Sequence, residues 1–186
     1  DISKIITKPG RMGIYFCEKG ASQRPSKVIY DRAASVVSKL SATDFDWDNI
    51  LEGAEWFHFT GITPALSDSM AEATLAACQT AKKKGIPISC DLNYRKKLWS
   101  REKAGKVMGE LMPYVDLLIA NEEDAADVFG IHAAASNITK GEINLDGYRS
   151  VAEQLIARFG VKKVAITLRE SVSACCIHWS ALLYDG

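Results

Sequence analysis

The amino-acid sequence predicts an α/β fold in which a parallel sheet covered by helices follows a small antiparallel ribbon. From Glu55 onward, strand-like apolar runs alternate with stretches of helical spacing, and cap residues or glycines punctuate the alternation. Ahead of it, two short strand-like runs flank a loop rich in turn residues, the texture of a hairpin. No Gly-x-Gly-x-x-Gly follows any strand, which argues against a dinucleotide-binding form of this class.

The ribbon strands are expected over 12–18 and 26–32, around the loop 19–25. Such a ribbon ahead of a parallel core predicts a lid that closes over a ligand and excludes water. An edge hairpin that merely covers the sheet fits the same pattern. Residues 1–40 form this lid segment with its connection, and 41–186 form the α/β core. In the core a strand over 55–60 leads past Pro64 to a helix over 67–84, capped by Ser67, with apolar Met70, Ala71, Leu75 and Cys78, and closed by Gly85. Next come a strand over 86–92, a helix over 100–114, a strand over 116–120 and a short helix over 122–129. A polar loop follows, then a helix over 146–159 closed by Gly160 and a strand over 163–168. The runs 174–179 and 181–185 predict a second hairpin turning about Ser180.

With 186 residues, 47% of them hydrophobic, the chain can bury one sizeable core. Lys+Arg and Asp+Glu both number 23, so nothing global favours nucleic acid or a membrane surface, and any attraction for an anion is local. Cys17, Cys78, Cys90, Cys175 and Cys176 form no C-x-x-C pair. They read as reduced thiols of a cytoplasmic protein. No apolar run approaches the ~18 residues of a membrane span. The chain begins without Met and stops just after a strand-like run, so a longer protein is expected around it.

The stretch CDLNYRKKLW, residues 90–99, concentrates the chemistry. A buried strand stopping near Leu92 delivers Asp91, Asn93 and Arg95 where parallel sheets gather ligands, beyond the carboxyl ends of their strands. Lys96 and Lys97 fit a solvated cation pair. Asn121 is a good helix cap, and the acids that follow it suit a first helical turn.

GRMGIYFCEKGASQRPSKVIYDRA, FHFTGITPALS, CDLNYRKKLWS and LLIANEEDA together resemble the 2-keto-3-deoxygluconate kinases, within the ribokinase-like (phosphofructokinase B) sugar kinases. The resemblance implies a parallel central sheet with helices on both faces, a β-lid, and transfer of the ATP γ-phosphate to a sugar-acid hydroxyl with Mg²⁺. It places Tyr15, Tyr30, Arg32 and Arg95 on the substrate. A guanidinium holds a carboxylate through two parallel charge-assisted bonds, and tyrosines bond sugar hydroxyls while their rings pack on its apolar face. It places Asn93, Arg95, Thr167, Arg169 and Ser171 near the nucleotide, with Arg169 where relatives usually carry glycine. It places Asp124 where the family has a metal-positioning Glu, and the neighbouring Glu123 is a rival; either offers the hard oxygen that Mg²⁺ takes. The family's Asp base, in a Gly-Ala/Gly-Gly-Asp motif opening a helix, is expected beyond Gly186, so this stretch alone is expected to transfer no phosphate. Rival readings are a fructokinase-like sibling and a non-catalytic sugar-acid-binding module. The lid could also serve a homo-oligomer.

Overall fold

A computed structural model of the chain describes residues 2–132, 145–171 and 176–186. The ribbon forms as expected: β1 (Ile14–Glu18) and β2 (Lys27–Asp31) pair antiparallel, with Tyr15 opposite Tyr30 and Phe16 opposite Ile29. Arg11 fastens its base, donating to the carbonyls of Ala33 at 2.8 Å and Asp31 at 3.0 Å and ion-pairing with the Asp31 carboxylate. One face of the ribbon carries Ile14, Phe16 and Ile29, all more than half exposed. Residues 2–13 lean on the core through Lys4, which donates to the Asn49 carbonyl at 2.6 Å, and through the Lys8–Asp44 ion pair at 2.8 Å.

The core is a five-stranded sheet in the order β3 (Phe57–Thr60), β4 (Ile88–Asp91), β5 (Leu117–Ala120), β6 (Lys163–Ser171) and β7 (Ile177–Tyr184). The first four strands are parallel and β7 is antiparallel to β6. Phe59, Cys90, Leu118 and Val164 lie in register across the sheet and are buried against the helices. Burying each large aliphatic side chain of this layer stabilises the fold by about 1.5–3 kcal/mol.

Among the described residues six α-helices accompany the sheet: α1 (Trp47–Ile50), α2 (Ile62–Ala65), α3 (Asp68–Lys83), α4 (Arg101–Leu111), α5 (Glu122–Phe129) and α6 (Leu145–Phe159). The expected caps hold, the side chains of Ser67 and Asn121 accepting the amides of Met70 and Asp124, and Ser100 caps α4 in the same way through the amide of Lys103. Gly85 and Gly160 end α3 and α6 in the left-handed conformation, at φ +73° and +70°. α3 buries Met70, Ala73, Thr74, Ala77, Cys78 and Ala81, and all but Met70 are small, which lets the helix pack closely on the sheet. The short pieces 37–39, 42–44 and α1 were not legible in the sequence, being too brief for apolar periodicity to register.

Because successive strands add in one direction, right-handed crossovers put α3, α4 and α6 on the same side of the sheet. The α/β class is as expected, and among the described residues its helices lie on that one face. Leu117, Ile119 and Ala165, pointing the other way, stay partly exposed. No described helix is long and apolar enough to cross a membrane.

One expectation is corrected. There is no hairpin about Ser180: β7 runs straight through it, pairing Ser180 with Leu168 and continuing to Tyr184 opposite Val164. Ser180 lacks a Gly, Asn or Pro neighbour to turn the chain, and the long partner β6 offers a continuous ladder. Residues 174 and 175 of that expectation, and the polar loop over 133–144, lie outside the described residues.

Candidate active site

β3, β4 and β5 are parallel, so their carboxyl ends open on one crevice. Leu92 is fully buried and donates its amide to the Ile119 carbonyl at 2.9 Å, which carries the sheet's ladder one residue past β4. The chain then turns at Asn93, whose φ of +39° is left-handed. Asparagine tolerates this conformation better than most residues with a Cβ, and local side-chain bonds stabilise it.

Three bonds hold the turn. The Asn93 amide donates to the Asp91 carboxylate, a turn closed by a side chain in place of a carbonyl. The Asn93 side-chain Nδ2 donates to Thr60 Oγ1 at 3.1 Å, tying the loop to the end of β3. The Tyr94 amide donates to Asp124 Oδ1 at 3.1 Å, tying it to the first turn of α5. Gly61 completes the fit: its amide donates to the Asp91 carbonyl at 2.8 Å, and a Cβ there would lie 2.1 Å from the Leu92 carbonyl oxygen.

Charge is concentrated behind this loop. Burial pushes the Asp124 carboxyl up to about 6; the Tyr94 amide opposes the shift, nearby Asp91 adds to it, and Arg95 and the Asn121 amide oppose it. Asp91 is also raised, chiefly by burial, against the Asn93 amide, His58 and Arg95. A buried carboxyl raised further by a neighbouring carboxylate fits a hard cation that draws its remaining ligands from water and phosphate oxygens. Among the described residues no group of three or more acidic, His or Cys side chains gathers into a closed metal cage. Asp124 is buried and faces the loop, whereas Glu123 is exposed on α5.

Arg95 is exposed, and its Nη1 makes only a long 3.4 Å contact with the Tyr94 carbonyl. Among the described residues no carboxylate pairs with it, so the guanidinium remains available to an anionic ligand. Lys96 and Lys97 are exposed as expected.

On the lid, Tyr15 and Tyr30 face each other across the strands with ring centroids 6.3 Å apart, and the Arg32 guanidinium lies 4.5 Å from the centre of the Tyr30 ring. Gly13 makes room for this cluster, since a Cβ there would sit 3.0 Å from Arg32 Cβ. A cavity of about 680 Å³ lies between the lid's base, at Arg11, Met12 and Gly13, and the wall formed by Phe59, Thr60 and Met70. The structure thus gathers Tyr15, Tyr30 and Arg32 on the lid, and Asn93, Arg95 and Asp124 at the strand ends; no hydrogen bond joins the two groups.

The strand holding Thr167 was expected to stop at Leu168, leaving Arg169 and Ser171 beyond its end. All three are strand residues: β6 extends to Ser171, with Thr167 opposite Ala181, Arg169 opposite Trp179 and Ser171 opposite Ile177. β7 prolongs the ladder beyond Ile166, the last residue of β6 in register with β5. Sequence reasoning missed Thr60 and Gly61, whose partners lie about thirty residues away; the Thr-Gly pair directly after an apolar run was the only local signal. The buried thiols of Cys78 and Cys90 are pushed up by desolvation, Cys78 to about 12, and take no part in the site's chemistry.

Comparison with known proteins agrees with this fold. A crystal structure of 2-dehydro-3-deoxygluconokinase from Thermotoga maritima superposes with a TM-score of 0.85 and 49% identity, over 95% of this chain and 51% of that one. The 2-dehydro-3-deoxygalactonokinase of Haloferax volcanii is 37% identical over 86% of this chain and 46% of its own length. The 2-dehydro-3-deoxygluconokinase of Thermoproteus tenax is 32% identical over 70% of this chain and 40% of its own. The chain therefore spans about half the length of the relatives it matches. The profile of the pfkB family carbohydrate kinases covers residues 1–170, and the chain belongs to that family.

Proposed function

We propose that this protein uses ATP and Mg²⁺ to phosphorylate a hydroxyl of 2-keto-3-deoxygluconate. The observation that carries the reading is the unpaired Arg95 guanidinium, held at the strand ends by a fastened loop beside the Asp91–Asp124 carboxylates. Phosphoryl transfer depends on positioning and on charge stabilisation, and each group here has a matching task. Arg95 clamps the sugar acid's carboxylate and borders the phosphates. Asn93, with Thr167, Arg169 and Ser171 on β6, faces the nucleotide. Asp124 would help hold Mg²⁺, and the bound ion would neutralise charge on the phosphates. Tyr15, Tyr30 and Arg32 bind the sugar from the lid, and lid closure excludes water from the transfer. The proton-accepting base is assigned to no described residue: Asp91 is engaged in its own turn, and Asp185 lies 3.9 Å from Lys163 at the far end of the sheet.

The Haloferax volcanii relative is named for the galactonate epimer, so the choice of sugar acid is part of the test. A coupled assay for ADP release on the full-length protein, run with both keto-deoxy acids, fructose and ribose, measures it directly. Highest kcat/KM on 2-keto-3-deoxygluconate is the expected result. Equal or better turnover of fructose or ribose would refute the carboxylate clamp, and preference for the galactonate epimer would reassign the substrate while retaining the clamp.

A further inference from the structure

Thr60 stands at a junction. It ends β3, it lines the cavity beneath the lid, and its Oγ1 accepts the Asn93 side-chain amide at 3.1 Å. Left-handed backbone is unfavourable for a residue with a Cβ, so Asn93 keeps its φ of +39° only while its surroundings hold it. The bond to the Asp91 carboxylate is internal to the loop, whereas the bond to Thr60 ties the loop to a neighbouring strand. A threonine hydroxyl can accept and donate together. With its oxygen accepting the Asn93 side-chain amide and, at 3.5 Å, the Ile62 backbone amide, the hydroxyl proton remains for an acceptor oxygen in the cavity.

We propose that Thr60 is a positioning residue that couples the sugar cavity to the phosphate-facing loop. The proposal rests on the functional reading above, in which Asn93 faces the nucleotide, and adds that a sugar oxygen reaches the cavity that Thr60 lines. A sugar oxygen accepting the Thr60 proton polarises the hydroxyl and strengthens its hold on the Asn93 amide, because linked hydrogen bonds reinforce one another. Sugar acid and nucleotide then bind synergistically, and by linkage each raises the other's affinity by the same factor.

Two substitutions separate this role from packing. Thr60→Val keeps the branched volume and loses the hydroxyl; Thr60→Ser keeps the hydroxyl and loses the methyl. Calorimetry on the full-length protein measures the Kd of the β,γ-methylene analogue of ATP with Mg²⁺, with and without 2-keto-3-deoxygluconate. Wild type and Thr60→Ser should bind the analogue several-fold more tightly with the sugar acid present. In Thr60→Val the synergy should vanish, and the analogue alone should bind about fivefold more weakly, the cost of one lost hydrogen bond. Undiminished synergy in Thr60→Val, or equal loss in both variants, would overturn the proposal. A wild type that phosphorylates neither keto-deoxy acid would instead refute the functional reading. The analogue's affinity in Thr60→Val, measured without sugar, would still decide whether Thr60 positions Asn93.

Discussion

Replacing Arg95 with alanine in the full-length protein should lower kcat/KM for 2-keto-3-deoxygluconate by about thirty- to a thousandfold, corresponding to ~2–4 kcal/mol of lost transition-state stabilisation. The expectation follows from the free guanidinium: no described carboxylate forms an ion pair with it, and it favours the ionised forms of buried Asp124 and half-buried Asp91. Arg95→Lys should recover little, because an ammonium cannot offer the planar pair of donors that holds a carboxylate. The loss should appear in the steady-state kinetics while the thermal midpoint stays near that of wild type, since the exposed side chain makes only one long hydrogen bond. An Arg95→Ala variant with the wild-type specificity constant would remove this residue from the site.

The largest effect on stability should come from Gly61→Ala. The added methyl would stand 2.1 Å from the Leu92 carbonyl oxygen, a backbone atom that cannot rotate aside, so the β3–α2 junction or the loop after β4 must move. Overpacking of this kind costs about 3 kcal/mol. For a domain of this size that is a fall of roughly 6–12 °C in the melting midpoint. Leu92 directly precedes Asn93, so nucleotide affinity should fall as well. Scanning calorimetry that found the variant's midpoint unchanged would show that the close approach of these two loops is not needed for the fold.

The parts of the fold set by local chemistry were legible in the sequence, and the parts set by distant partners were not. Ser67 and Asn121 announced two helices because a cap is satisfied within its own first turn. The ribbon was legible from its alternation and its turn-rich loop. The far end was misread because Ser180 was taken as a turn where β6 supplies a long partner strand, something no window of nearby residues reveals. The site divides in the same way. Asp91, Asn93 and Arg95 stood out as polar residues directly after a buried strand. That Asp124 rather than Glu123 reaches the loop depends on Tyr94, thirty residues earlier, and the hold of Thr60 on Asn93 spans thirty-three. Caps and turns are short-range physics, whereas a crevice at the ends of parallel strands exists only after the crossovers have aligned them.

The central claim is that the lid cluster and the strand-end loop grip one sugar acid between them, although they are separate groups in this structure. A crystal structure of the full-length protein with 2-keto-3-deoxygluconate bound tests it most directly. The predicted result is one ligand with its carboxylate on the Arg95 guanidinium and its hydroxyls within hydrogen-bonding distance of Tyr15, Tyr30 or Arg32. A ligand seated elsewhere, or one held by the lid while Arg95 points into solvent, would contradict it.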